Sequence, residues 1–272
     1  MTALDQRQRA MLQEMQVRVW WPGDLPLTER VVAAAVPDPV DTRSAMPVQS
    51  ALPAAVAMPS AVGHGDADRR PAEIDAMDWP ALARTISTCA ACALCVGRQA
   101  PVFAAEPGHR QADWLVVGEP PDEQEERAGS AFVGPSGELL DNMLRAVQRT
   151  RDGVGSTGAR LTNVVKCRPG LVRNPQAEEL AACALYLRRE ITLTRPKLIL
   201  AMGRFAAQSL LGTGHPELAG LPFGKLRGRV HQYQGIPVVV TYPTGRLLRA
   251  PQDKAAAWAD LCLAQEASRA AT

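Results

Sequence analysis

Six cysteines are the side chains of this 272-residue chain with the greatest capacity for chemistry. Cys89 and Cys92 have the C-x-x-C spacing of a metal clip, and Cys167 and Cys183 form a second pair sixteen positions apart. Four thiolates from two distant segments can close a tetrahedral site, which suits both zinc and an iron–sulfur cluster. Cys95 follows the clip closely, so spacing alone does not decide whether Cys95 is one of the ligands.

The residues around Cys167 are unusual for a cysteine that only packs in the core. In the stretch TNVVKCRPG the two valines are typical of the end of a buried strand, and Lys166 and Arg168 flank the cysteine. For Cys183, core packing is the alternative to metal ligation because it lies on an apolar helix face. For Cys262 we predict core packing.

The elements that must position these cysteines follow from short apolar runs separated by helical patterns. Such runs are typical of strands that are covered on both faces. They are DWLVVGE (113–119), LTNVVK (161–166), KLILAMG (197–203) and IPVVVTYP (236–243). The helical patterns are 136–149, 174–191 with Asn174 as N-cap and Pro175 as first helical residue, and 204–211. We predict an α/β fold, a three-layer sandwich with a short parallel central sheet flanked by helices, whose site lies at the carboxyl ends of the strands.

Composition divides the chain into three parts. Residues 1–30 form an N-terminal arm with an amphipathic helix over 4–21 that ends in Trp20-Trp21-Pro22. Residues 31–75 are rich in Ala and Pro and have no aromatic side chain, which predicts a disordered linker. Residues 76–268 form the folded domain.

The bulk properties exclude several classes of protein. The formal net charge of +2 gives no overall attraction to nucleic acid, so that any basic patch must be local. No apolar run approaches the roughly 18 residues of a membrane span, and the first residues lack the apolar stretch of a secretion signal. These features predict a cytoplasmic protein without membrane association, in which the cysteines are not a disulfide framework.

The stretch from about 79 to 264 resembles the family 4 uracil-DNA glycosylases, which are iron–sulfur members of the uracil-DNA glycosylase superfamily. The matching segments, in order, are CAACALCVGR, VVGEPPDEQEE, AFVGPSGELLDNML, LTNVVKCRP, RPKLILAMGRFAAQSLL, KLRGRVHQY and LLRAPQDKAAAW. The resemblance implies a uracil-DNA glycosylase-like fold and a 4Fe-4S cluster. It places the cluster ligands on Cys89, Cys92, Cys167 and Cys183, which makes Cys95 a spare.

The same resemblance implies roles for three residues near the strand ends. Phe132 matches the aromatic residue that stacks on a flipped uracil, and Asn163 matches the amide that hydrogen-bonds the pyrimidine edge. Glu119 matches the acidic residue that positions water or stabilises the cationic sugar. Each has a plainer alternative, since Phe132 could be core, Asn163 could cap a turn, and Glu119 could hold a backbone amide.

The second catalytic motif departs from the family pattern. YPTGRLLR has Pro243 where the family has the histidine that donates to the leaving uracil. Loss of one preorganised donor typically costs about 10²- to 10³-fold in rate. Thr244 and Arg246 are candidates to replace it in part, and we assign Arg246 and Leu247 to substrate binding. The other members of the expected basic rim for DNA are Arg227, Arg229, Arg249 and Lys254.

We therefore predict a monomeric uracil-DNA glycosylase of base excision repair, which hydrolyses uracil from single- or double-stranded DNA with reduced activity. The alternatives are a non-catalytic binder of uracil-containing or single-stranded DNA, and an adaptor that recruits a replication or repair protein through its N-terminal arm.

Overall fold

The computed structural model describes residues 70–103, 111–170, 173–212 and 221–271. The predicted arm and all of the predicted linker up to residue 69 lie outside the described residues. Partner binding by the arm therefore stays a prediction, and so does the monomeric state. Within the described ranges, no helix has both the length and the apolar character that crossing a membrane requires.

One five-stranded sheet organises the described residues, with strand order β2-β1-β3-β5-β4. The strands are β1 Ala112–Gly118, β2 Gly155–Asn163, β3 Leu198–Met202, β4 Val230–Tyr233 and β5 Ile236–Thr241. Strands β2, β1, β3 and β5 are parallel, and β4 pairs antiparallel with β5. The carboxyl ends of four strands therefore meet at one edge of the sheet, where ligands bind in open α/β folds.

Helices cover both faces of this sheet. They are α1 Arg70–Ala76, α2 Trp79–Ser87, α3 Glu123–Ala128, α4 Gly134–Ala146, α5 Ala177–Thr194, α6 Arg204–Leu211, α7 Phe223–Leu226, α8 Thr244–Arg249 and α9 Lys254–Ala270. Alternate residues of β1 and β3 point into two separate apolar cores. One core is shared with α1, α2, α5 and α6, and the other with α4, α8 and α9. This arrangement is the predicted three-layer α/β sandwich.

Three predicted boundaries are corrected. Helix α1 begins at Arg70, inside the predicted linker of 31–75, because the side chain of Ile74 is fully buried in the core. Helix α5 begins at Ala177 rather than at Pro175, since Gln176 and Glu179 form a capping box there. At the carboxyl end, α9 continues to Ala270, two residues beyond the predicted domain.

Candidate functional site

Glu119 directly follows β1, at the carboxyl edge of the sheet. Its Oε1 accepts a hydrogen bond of 2.8 Å from the main-chain N–H of Phe205, in the first turn of α6. Gly203 makes this contact sterically feasible, since a Cβ there would lie 2.2 Å from Glu119 Oε1. Burial raises the pKa of the Glu119 carboxyl to about 7, against the opposing effect of the Phe205 and Ala206 amides. Glu119 therefore does bind a main-chain amide, which was the plainer alternative for it, and its pKa also suits acid–base chemistry.

Asn163 ends β2 in register with Gly118 of β1, so that it stands beside Glu119. Its Nδ2 donates to the main-chain carbonyl of Glu119 at 2.9 Å and to Oε1 of Glu125 at 3.3 Å. Two acceptors around Nδ2 fix the orientation of the amide. Its Oδ1 is buried and has no hydrogen-bond partner within the described part of the chain. The amide thus offers an unused acceptor at the strand edge.

Glu125 is a residue of this site that the resemblance did not single out. Its Oε1 also accepts from the main-chain N–H of Phe132 at 2.6 Å, so one carboxylate holds both Phe132 and Asn163. Its Oε2 accepts from the N–H of Asp122, which completes a capping box at the start of α3. The D-x-x-E spacing was the signal available in the sequence.

Phe132 lies in the buried layer beside the end of β1, with the left-handed backbone angle φ of 55°. A Cβ on Gly118 would come within 2.5 Å of the ring Cζ, so the absence of a side chain at Gly118 lets the ring lie across the strand end. Arg151 donates to the main-chain carbonyl of Phe132 at 3.2 Å. The loop that carries the ring is therefore fixed from both sides, by Glu125 at its N–H and by Arg151 at its carbonyl.

The departed motif forms the turn from β5 into α8. Pro243 is the N-cap residue of α8, and Thr244 is the first helical residue and is buried. Arg246 is half exposed, donates to Asp253 at 2.7 Å, and has its guanidinium 4.5 Å from the centre of the Tyr242 ring. Arg246 thus lies in a position from which it can meet a phosphate.

The assignment of Leu247 to substrate binding is contradicted. Its side chain is fully buried in the core shared with α4 and α9, whereas Leu248 is 42% exposed. Successive residues of a helix point about 100° apart, so that Leu248 can face solvent while Leu247 faces the core. Leu248 is the exposed leucine of this motif.

Arg227, expected in the basic rim, is engaged inside the protein. Its guanidinium pairs with Asp260 at 2.6 Å and stacks 3.9 Å from the centre of the Tyr242 ring, and its side chain is only 12% exposed. It is therefore not a free ligand for phosphate. Arg229, Arg246 and Arg249 remain exposed on the surface.

A second site lies beside the end of β2, where five cysteines line one small cavity. Cys89 and Cys92 follow α2, and Cys95 ends the short 3-10 turn after them. Cys167 follows β2 and Cys183 lies on α5, as predicted. Arg70, Arg98 and Lys166 line the same cavity. The two distant cysteine pairs are therefore brought together by the fold.

N–H groups point at the sulfurs of the four cysteines that the resemblance selects. Arg98 lies 3.2 Å from Cys167 Sγ and Arg70 lies 3.6 Å from Cys89 Sγ. The main-chain N–H of Lys166 donates to Cys183 Sγ at 3.3 Å, and that of Leu94 donates to Cys92. Among the described residues, none donates to the sulfur of Cys95. Hydrogen bonds of this kind stabilise thiolates.

Burial opposes ionisation of these same thiols. It raises the pKa of Cys92 and of Cys167, and it raises the pKa of Cys183 to about 12. A cation that binds here must offset this cost of ionising the thiols.

Comparison of the sequence with known proteins identifies the family to which the chain belongs. The model of the uracil DNA glycosylase superfamily matches residues 105–262. A type-4 uracil-DNA glycosylase of Pyrobaculum aerophilum is 35% identical over 182 residues, which cover 64% of this chain and 87% of the relative. Those of Archaeoglobus fulgidus and Thermotoga maritima are 34% identical over 149 residues and 32% identical over 165 residues. These alignments cover 53% and 60% of this chain, and 71% and 80% of the two relatives. The chain belongs to the uracil-DNA glycosylase superfamily, and within it to the type-4 family.

Proposed function

We propose that this protein hydrolyses the N-glycosidic bond of uracil in DNA, with the uracil held at the edge formed by Glu119, Glu125, Phe132 and Asn163. Water adds to the anomeric carbon of the deoxyribose as the carbon–nitrogen bond breaks, and uracil leaves with the electron pair of that bond and then takes up a proton. The type-4 relatives carry this activity in their names.

The observation that carries the proposal is the unpaired Oδ1 of Asn163. A buried acceptor without a partner costs about 1–3 kcal/mol, which a bound ligand with an N–H group offsets. Uracil has a hydrogen on N3, whereas cytosine has a lone pair there. Because both amide hydrogens of Asn163 are already bonded to Glu119 and Glu125, the selection for uracil rests on this one acceptor.

Glu119 is proposed to act on the attacking water as its carboxylate. A group with a pKa near the working pH exchanges protons most effectively, and burial brings Glu119 to about 7. The main-chain N–H of Phe205 holds one carboxylate oxygen in place, which restricts the orientation of the group.

We expect the rate of excision to rise with pH and to be half-maximal at about pH 7. The reason is that the active form of Glu119 is ionised, and its pKa is about 7. Single-turnover rates measured from about pH 5.5 to 8.5 test this expectation. In the Glu119→Gln variant most of the activity should be lost, and the remaining rate should no longer rise with pH.

Stability has the opposite dependence on pH, which separates the two effects. A carboxyl whose pKa is higher in the folded than in the unfolded state stabilises the fold when protonated, and this contribution is lost as the pH rises through 7. Loss of rate at acidic pH without loss of thermal stability would therefore report Glu119 chemistry. A rate that falls as the pH rises through 7 would contradict the assigned role.

The cysteine cavity is proposed to hold a 4Fe-4S cluster on Cys89, Cys92, Cys167 and Cys183. Four thiolates suit both zinc and such a cluster, and membership of the type-4 family favours the cluster. Cations at the cavity suit the net negative charge of a cluster with four thiolates. The cluster is structural in this proposal, because it ties α2, the end of β2 and α5 together.

Exposed Arg246, Arg249 and Leu248 are proposed to meet the DNA around the flipped uracil. Arginines beside the turn after β5 can pair with phosphates, and the exposed leucine lies on the same short helix. Release of uracil from a labelled oligonucleotide, with Asn163→Ala as the matched control, is the experiment that tests the proposed function.

A further inference from the structure

Lys166 lines the cysteine cavity, but its ammonium group has no part in the proposed chemistry. Its side chain is 1% exposed, as is that of Glu190 on α5, with which its ammonium pairs. A buried ion pair seldom stabilises a fold more than apolar residues of similar size would. The pair therefore calls for a role other than stability.

The ammonium of Lys166 reaches the residue that reads uracil. Its Nζ donates to the main-chain carbonyl of Asn163 at 3.0 Å and to Thr162 Oγ1 at 2.5 Å, and the carboxylate of Glu190 is its third partner. These two hydrogen bonds and the ion pair hold the ammonium in place. The end of β2 is thus fixed at two successive residues by one buried cation.

The main chain of Lys166 reaches the cysteine cavity. Its N–H donates to Cys183 Sγ at 3.3 Å, and its carbonyl accepts from the N–H of Val102 at 2.6 Å. The ammonium also lies 5.8 Å from the centre of the Phe103 ring. One residue therefore contacts both a proposed cluster ligand and the main chain of Asn163.

We propose that Lys166 is a positioning residue that couples the cysteine cavity to the uracil site, by holding the main chain of Asn163 in the place from which Oδ1 meets the base. This inference rests on the proposed function. A displacement of about 1 Å at a binding group can lower a rate by about 10²-fold, which is large enough to justify a buried charge at this point.

The test replaces both members of the ion pair, so that no unpaired charge is buried. Lys166→Met combined with Glu190→Met keeps the side-chain volumes close and leaves the main-chain contacts to Cys183 and Val102 intact. We expect the double variant to fold and to keep its iron and its absorbance near 400 nm, whereas the rate of uracil release falls by about 10- to 100-fold.

A double-mutant cycle then separates positioning from a general structural role. If Lys166 acts through Asn163, the Met pair has little further effect once Asn163→Ala is present. Equal fold-losses in the two backgrounds, or an unchanged rate of the folded Met pair with Asn163 intact, would overturn the inference. Iron loss in the Met pair would also overturn it, because the effect would then come from the cluster.

Binding supplies a second readout for the same cycle. Two oligonucleotides, one with 2′-fluoro-2′-deoxyuridine and one with 2′-fluoro-2′-deoxycytidine, report base selection without cleavage. We expect the ratio of the affinity for the first to the affinity for the second to fall in the Met pair. A wild-type protein that neither cuts uracil nor selects the uridine probe would reject the proposed function, and this inference with it. If the wild type cuts uracil and selects the uridine probe but the double-mutant cycle is additive, only the role of Lys166 is rejected.

Discussion

Restoring the family motif in the turn after β5 is expected to raise the rate of uracil excision by about 10- to 1,000-fold, the range that one preorganised donor supplies. The variant carries Pro243→His, Thr244→Pro, Gly245→Ser and Arg246→Tyr. The new histidine donates to the oxygen of the departing uracil, where negative charge develops as the bond breaks. The affinity for uracil DNA should equal that of the single variant Arg246→Tyr, because the restored interaction acts mainly in the transition state.

The structure shows that the turn can accept this exchange. Thr244 is the first residue of α8, the position at which proline is best tolerated in a helix. Arg246→Tyr removes the ion pair with Asp253, so the single variant Arg246→Tyr is the matched control for loss of that contact. Single-turnover excision rates of the wild type, the control and the full exchange provide the comparison. An unchanged rate in a folded, iron-loaded exchange would mean that Pro243 is not what limits the reaction.

Cys183→Ser is expected to remove the cluster and to destabilise the fold, whereas Cys95→Ser is expected to do neither. Cys183 is buried and links α5 to the end of β2 through its contact with Lys166. Free energy of metal binding is also free energy of folding in such sites, and the thermal midpoint should fall by about 10 °C or more. Cys95 lines the same cavity but is outside the proposed ligand set.

Iron content, absorbance near 400 nm and thermal unfolding of anaerobically purified proteins measure these effects. The wild type should contain about four irons per chain. Stoichiometric zinc without iron would contradict the proposed cofactor. If the Cys95→Ser variant loses its iron and the Cys89→Ser variant keeps it, Cys95 and not Cys89 is the cluster ligand.

Apolar runs predicted the interior strands but not the edges of the sheet. Strands β1, β3 and β5 were predicted to within one or two residues at each end, because both of their faces are buried. Strand β2 begins at Gly155, earlier than the predicted 161, since it is an edge strand whose first half is exposed and polar. Strand β4 is a short edge strand with an alternating burial pattern, and its sequence VHQY gave no apolar run.

The pattern of strands predicted where the candidate site residues lie in the fold, whereas it did not predict which glutamates are buried. Glu119 and Asn163 were placed correctly at neighbouring strand ends. Glu125 and Glu190 are buried glutamates, and a sequence does not distinguish these from solvated ones on a helix surface. The choice between Leu247 and Leu248 depended on the rotation of α8, which its six residues do not fix by periodicity.

Excision of uracil by the iron-loaded protein tests the central claim most directly. The substrates are end-labelled single-stranded and duplex oligonucleotides with one uracil, and matched strands with cytosine at that position serve as controls. After alkaline cleavage of the abasic site, we predict a product from the uracil strands alone, formed at least about 100-fold more slowly by Asn163→Ala, which lacks the acceptor for N3–H. A folded, cluster-loaded wild type that yields no product above background, or an Asn163→Ala variant that cuts as fast, would contradict the account.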